Sequence, residues 1–220
     1  MITDVQAISI LAATFIIIYF MGTVRNRKLM QKYARILKDQ MTPLCDRVGF
    51  RAYRTSSFRA LCQLKSGGGF SKIEIAVSLV DRENALHYPL SIVTRDYDRF
   101  VCWGFLENTP PTNIEVLQKS ERKLRDKVTL QKSLTKLTAG GDELNNRFVV
   151  LVENGNLAKE FLADTKVRAD LIKSREFLKH LSLNREESWI YLLGILKEES
   201  LKPLLDLILS CGKALSSKSL

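Results

Sequence analysis

The chain has 220 residues, 45% of them hydrophobic and 26% charged, with a formal net charge of +10. This composition excludes a disordered chain and a polytopic membrane protein, and the length suffices for one domain with a real core. The basicity is regional: ten Lys/Arg (25, 27, 28, 32, 35, 38, 47, 51, 54 and 59) against Asp39 and Asp46 give residues 25–59 a local +8, residues 119–136 add +5, and the remainder is slightly acidic.

Residues 5–24 (VQAISILAATFIIIYFMGTV) carry no charge. Twenty helical residues span the roughly 30 Å hydrocarbon layer, where backbone groups must be satisfied internally. Only Asp4 precedes the run, whereas Arg25-Asn26-Arg27-Lys28 follows it. A cleaved signal peptide would show the reverse order, and the positive-inside rule places the C-terminal side in the cytoplasm. A helix over residues 27–48 follows from apolar positions at i, i+3, i+4 spacing: Leu29, Met30, Tyr33, Ile36, Leu37, Met41, Leu44 and Val48. Pro43 either kinks it or begins a new turn.

Four strand-like runs come next, at residues 58–64, 72–80, 90–95 and 100–107, with Ser66-Gly67-Gly68-Gly69 and Tyr97-Asp98 as turns. After Pro110-Pro111, Thr112 or Asn113 is placed to cap a long helix over residues 114–137, which Ala139-Gly140-Gly141 would end. Residues 148–153 (FVVLVE) form an apolar strand and Asn154-Gly155 a turn. Helices are expected at residues 157–162 and 166–173. Residues 176–183 alternate weakly, and residues 188–196 (SWIYLLGIL) are a buried strand or helix. An amphipathic helix over residues 201–215 has Pro203 in its first turn. The fold expected is α+β: residues 1–24 a transmembrane anchor with its N-terminus outside, residues 25–48 a basic juxtamembrane amphipathic helix, and residues 49–220 a cytosolic domain of mostly antiparallel sheet covered by helices.

Chemistry is sparse. The segment from Ser66 to Lys72 lacks the GxxxxGK[ST] spacing and leads into a strand, so it reads as a hairpin rather than a phosphate loop. His87 and His180 sit in no metal or triad motif, and Asp96, Asp98, Glu186 and Glu187 read as turn or cap residues. Cys45, Cys62, Cys102 and Cys211 form no CxxC pair and read as buried, reduced thiols of a cytosolic domain. The expectation is a protein without catalytic residues, metal or cofactor. The informative residues are Arg25, Arg27, Lys28, Lys32, Arg35 and Lys38 beside the anchor, and Lys119, Arg122, Lys123, Arg125 and Lys127 farther on. Such arrays attract anionic headgroups or the phosphates of RNA. Without an aromatic RNA-binding motif, any RNA contact would be to backbone and shape.

The order of segments resembles a known family: the anchor, then RNRKLMQKY, FRALCQL, KIEIAVSLVDRENAL, PLSIVTRDYDRFVCWGFLE, LNNRFVVLVENGNLAKEFLADTKVRADL and SWIYLLGILKEESLKPLLDLILS. Over residues 8–215 it is similar to the calumin family, the coiled-coil-domain subunit of the PAT (protein associated with translocon) complex, as a short, archaeal-type relative. The resemblance implies a non-enzymatic accessory factor in membrane-protein insertion. Its partners would be translocon channel subunits, ribosomal RNA and a small Asterix-type membrane chaperone. The membrane would be the plasma membrane in a prokaryote or the endoplasmic reticulum in a eukaryote. The family's acidic, calcium-linked lumenal region has no counterpart in Met1–Asp4, and its lysine-rich C-terminal coiled coil has none in residues 216–220. Two other classes remain open: a membrane-tethered enzyme or ligand sensor, with a pocket near Asp96, His87 or Trp103, and a structural scaffold bound to lipid alone.

Overall fold

The uncharged run and the basic segment behind it belong to one helix, α1 (Asp4–Met41), in the computed structural model, which describes residues 3–65, 69–131, 134–138 and 142–217. Thr3 caps it, its hydroxyl accepting from the Gln6 amide while Gln6 Oε1 accepts from the Thr3 amide. At about 1.5 Å per residue its 38 residues extend about 57 Å. Every side chain from Thr3 to Met21 is exposed save half-buried Ile18, whereas Gly22, Thr23, Asn26, Met30, Tyr33, Leu37 and Met41 form one buried stripe. The first half is thus apolar all round and the second is amphipathic, at the 3.6-residue period of a helix resting on a core. One helix is therefore long and apolar enough to cross a membrane.

The helix stops at Met41, about two turns before the expected end at Val48. Pro43 cannot donate the backbone bond a continuing helix needs, and Cys45–Arg54 is instead a strand, β1. The remaining strands are β2 (Ser57–Leu64), β3 (Phe70–Ser78), β4 (Arg99–Leu106), β5 (Ile114–Gln118), β6 (Thr135–Leu137), β7 (Phe148–Val152), β8 (Leu178–Asn184) and β9 (Trp189–Ile195). Among the described residues these nine strands make one sheet, ordered β1-β2-β3-β4-β9-β8-β5-β7-β6, with every pairing antiparallel. The antiparallel β2–β3 pair bears out the hairpin. Of its turn, Ser66, Gly67 and Gly68 lie outside the described residues, as do Ala139, Gly140 and Gly141.

The helices are α2 (His87–Val93), α3 (Arg122–Gln131), α4 (Asp142–Arg147), α5 (Gly155–Leu162), α6 (Thr165–Ser174) and α7 (Glu198–Ser216). Residues 90–95 are therefore mainly helix, not strand. Asn84 starts the turn by accepting from the Leu86 and His87 amides, and Arg95, at φ 56, ends it. The expected helix over residues 114–137 is three elements. Its first five residues are all buried, as in a strand covered on both faces, where apolar residues do not alternate. Asn154 is an N-cap, accepting from the Asn156 and Leu157 amides, rather than part of a turn. Residues 188–196 resolve as strand, and α7 begins a turn earlier than expected, leaving Pro203 inside it.

The main core lies on one face of the sheet, beneath α1, α7, α6 and α5. The Phe70 ring fills the space between sheet and α7: a Cβ on Gly104 would come within 2.3 Å of it and one on Gly212 within 2.1 Å. A smaller core, Leu117, Val128, Val149 and Leu151, joins α3 to the opposite face at the β5–β7 end. The expectation of four reduced cysteines needs correcting. Cys45 and Cys62 are joined by a disulfide between β1 and β2, and only Cys102 and Cys211 are free among the described residues. Both free thiols are buried, which pushes their pKa values up and leaves them unreactive.

Candidate functional site

Where α1 meets the sheet, the loop at residues 79–83 supplies a dense polar junction. Arg82 Nη1 and Nη2 donate to the two oxygens of Asp98 at 3.0 and 2.8 Å. Asp98 Oδ1 also accepts from the Val80 amide at 2.7 Å. Arg82 Nη1 lies 3.0 Å from the side-chain oxygen of Asn26, whose amide nitrogen donates to the Val80 carbonyl at 3.2 Å. Asn26 has no solvent exposure, so its bonding matters: a buried amide left unpaired costs about 1–3 kcal/mol. Glu83 extends the junction, accepting from Thr23 at 3.1 Å and Thr55 at 2.5 Å. Gly22 permits the close approach, because a Cβ there would lie 2.1 Å from the Arg82 carbonyl oxygen. Asp98, a turn residue by composition, is instead a 9% exposed partner of a bidentate arginine.

The predicted basic residues fall into two sets. Arg25, Arg27, Lys28, Lys32, Arg35 and Lys38 are exposed on α1, around its buried stripe, with Lys32 paired to Glu198 at the start of α7. Lys119 lies in the turn after β5, and Arg122, Lys123, Arg125 and Lys127 are on α3, Arg125 beside Asp126 at 3.6 Å. α1 covers the sheet face near β1 and β2, and α3 covers the other face near β5 and β7. With five strand spacings of about 4.8 Å between β2 and β5, these are separate surfaces, not one patch. Arg51 and Arg59, also in the basic segment, flank the Tyr53 ring on the side of the sheet away from α1.

A second polar cluster has no local signature in the sequence. Glu115 on β5 accepts from Ser182, its partner across the ladder on β8, at 2.9 Å, and lies 2.6 Å from His180 Nε2. All three are buried beside an open concavity of about 430 Å³ that Trp103, Trp189 and Tyr191 also line. Burial raises the Tyr191 pKa, with Arg99 acting the other way. His180 and Ser182 both turn to the carboxylate. The hydroxyl proton is therefore aimed at Glu115, whereas a nucleophilic serine needs it aimed at the imidazole. The cluster satisfies a buried carboxylate and pins the β5–β8 register. Asp96 and His87 are exposed. No group of three or more His, Cys, Asp or Glu among the described residues is placed to hold a metal.

A scan against protein-family models gives no match to this chain, and a search of curated proteins gives none either.

Removing Asp98 strands the Arg82 guanidinium and loosens Asn26. Asp98→Ala should lower unfolding stability by about 3–5 kcal/mol, the range for breaking a buried pair from one side. Chemical denaturation of the full chain in detergent measures it; a loss under about 1 kcal/mol would mean the junction bears little of the fold's stability.

Proposed function

We propose that the chain is a non-enzymatic, single-pass membrane protein that serves as an accessory factor in membrane-protein insertion, scaffolding a translocon–ribosome site. The observation that carries the membrane part is α1 itself: bare and apolar over residues 5–21, then locked to the sheet from Gly22 onward. Such a helix holds a domain at a fixed distance and angle from the bilayer, which is what positioning requires. The exposed cations beginning at Arg25 then stand at the headgroup level, where each contributes about 1 kcal/mol toward an anionic surface. The placement within membrane-protein biogenesis rests on the resemblance to the calumin family. Channel subunits, ribosomal RNA and an Asterix-type chaperone are the partners it suggests.

Changing Arg25, Arg27, Lys28 and Lys32 together to Glu should lower co-sedimentation with ribosomes from solubilised membranes at least about tenfold, because each cation lost weakens phosphate binding and its salt dependence. Unchanged recovery of the folded variant would remove the electrostatic mechanism. Retained binding to anionic vesicles without ribosome association would favour a lipid-bound scaffold instead.

A second reading concerns orientation. The charge order around α1 favours a cytoplasmic domain, but the Cys45–Cys62 disulfide favours an oxidising compartment, outside the special case of hyperthermophile interiors. Lys202 is exposed on α7, so Lys202→Cys offers an accessible thiol. A membrane-impermeant maleimide should label it only after cells are permeabilised if the domain is cytoplasmic. Labelling of intact cells would reverse the orientation.

A further inference from the structure

The helix α2 is built inside out. Ser91 points into the protein and is 2% exposed, while Leu90, Ile92 and Val93 are 57%, 64% and 78% exposed, and Leu86 just before them 76%. Among the described residues these are the four most exposed large apolar side chains outside α1. A water-facing helix of this composition carries a hydration cost that reversing its faces would remove.

Its position supplies the missing solvent. Tyr88, Pro89 and Ile92 of α2 line an apolar groove of about 840 Å³ whose other wall is α1, from Ile18 and Met21 to Leu29. That wall covers the last turns of the uncharged run and the first basic turns, about 17 Å along the helix axis. The cations Arg25 and Lys28 line the same groove, and exposed Arg95 follows α2. Apolar side chains giving way along α1 to cations, with a tyrosine in the same groove, match the environments met on leaving a bilayer. The junction at residues 79–83 fixes the height of α2 against α1, so the two cannot choose their depths independently.

We propose that α2 lies in the lipid–water interface of the leaflet from which α1 emerges. Leu86, Leu90, Ile92 and Val93 touch acyl chains there, and Arg25 and Lys28 receive the phosphates of anionic phospholipids at the groove. The membrane attachment then has two points, a spanning helix and a shallow one, and the domain can neither swivel about α1 nor lift from the surface. This rests on α1 crossing the bilayer, and the test separates the two claims.

Single-cysteine additions Leu90→Cys, Ile17→Cys and Lys202→Cys suit labelling with an environment-sensitive fluorophore, because Cys102 and Cys211 are buried. The full chain is reconstituted into vesicles of phosphatidylcholine and phosphatidylglycerol, with doxyl-labelled lipid and aqueous iodide as quenchers. The label at Leu90 should follow the one at Ile17: quenched by the doxyl lipid, and quenched by iodide at least about fivefold less than at Lys202, as for a helix 5–10 Å into the boundary. Iodide quenching at Leu90 equal to that at Lys202, with Ile17 shielded, overturns the interfacial placement and leaves the spanning helix standing. Shielding at Leu90 without quenching by the doxyl lipid overturns it in favour of a protein contact. Iodide access at Ile17 overturns the membrane-spanning reading and this inference with it.

Discussion

Arg82 is held by both oxygens of Asp98 and in turn holds the side chain of Asn26, a buried amide in the middle of a 38-residue helix. The attachment of that helix to the sheet depends on this node. An asparagine enters a protein interior only with partners for its amide, and here both ends of the amide are met by one loop. The loop cannot move without stranding Asn26, Asp98 or Glu83, and Gly22 leaves no room for a side chain between helix and loop. Hydrophobic burial of Met30, Tyr33, Leu37 and Met41 holds the far half of α1 on the core. The polar node fixes where along its length the bare half begins.

The rest of the domain is organised to receive that helix. The long antiparallel sheet has one face largely under α1 and α7, and the Phe70 ring wedged between Gly104 and Gly212 brings α7 close to the strands. At one edge, β1 carries Arg47, Arg51 and Arg54, which blunt an otherwise open ladder. The Lys/Arg of α1 and those of α3 belong to different faces, so a partner engaging both would have to wrap round the sheet. A partner at the surface beside α1 meets only the first set, the one that the proposed membrane geometry brings to the headgroups.

Legibility in the sequence followed the strength of the local pattern. The uncharged twenty residues, the FVVLVE strand and the helix of the last residues each carry a pattern that one structure explains. Failures came where tertiary context overrode it. Ile114 to Gln118, read as helix after a proline break, is a strand because both faces are covered, which hides the alternation that marks a strand. Leu90-Ser91-Ile92-Val93 looks like a strand by its β-branched residues, yet Asn84 nucleates a turn of helix and Arg95 closes it. The eleven basic residues were visible by composition, but their division between two surfaces is a property of strand order, which adjacent sequence does not encode. The Asn26–Arg82–Asp98 node joins residues 56 and 16 positions apart, and the Glu115–His180–Ser182 cluster residues 65 and 67 positions apart, and no local spacing announces such contacts.

Through the Asn26–Arg82–Asp98 node α1 and the sheet move as one body. Pulsed electron–electron resonance between nitroxides at Ile10→Cys on the bare half of α1 and Lys202→Cys on α7, in the full chain in lipid nanodiscs, tests it most directly. One narrow distance distribution that broadens when Asn26→Ala is added is the result predicted. A broad distribution in the otherwise unaltered chain, as for a domain hinged beneath its anchor, would contradict it.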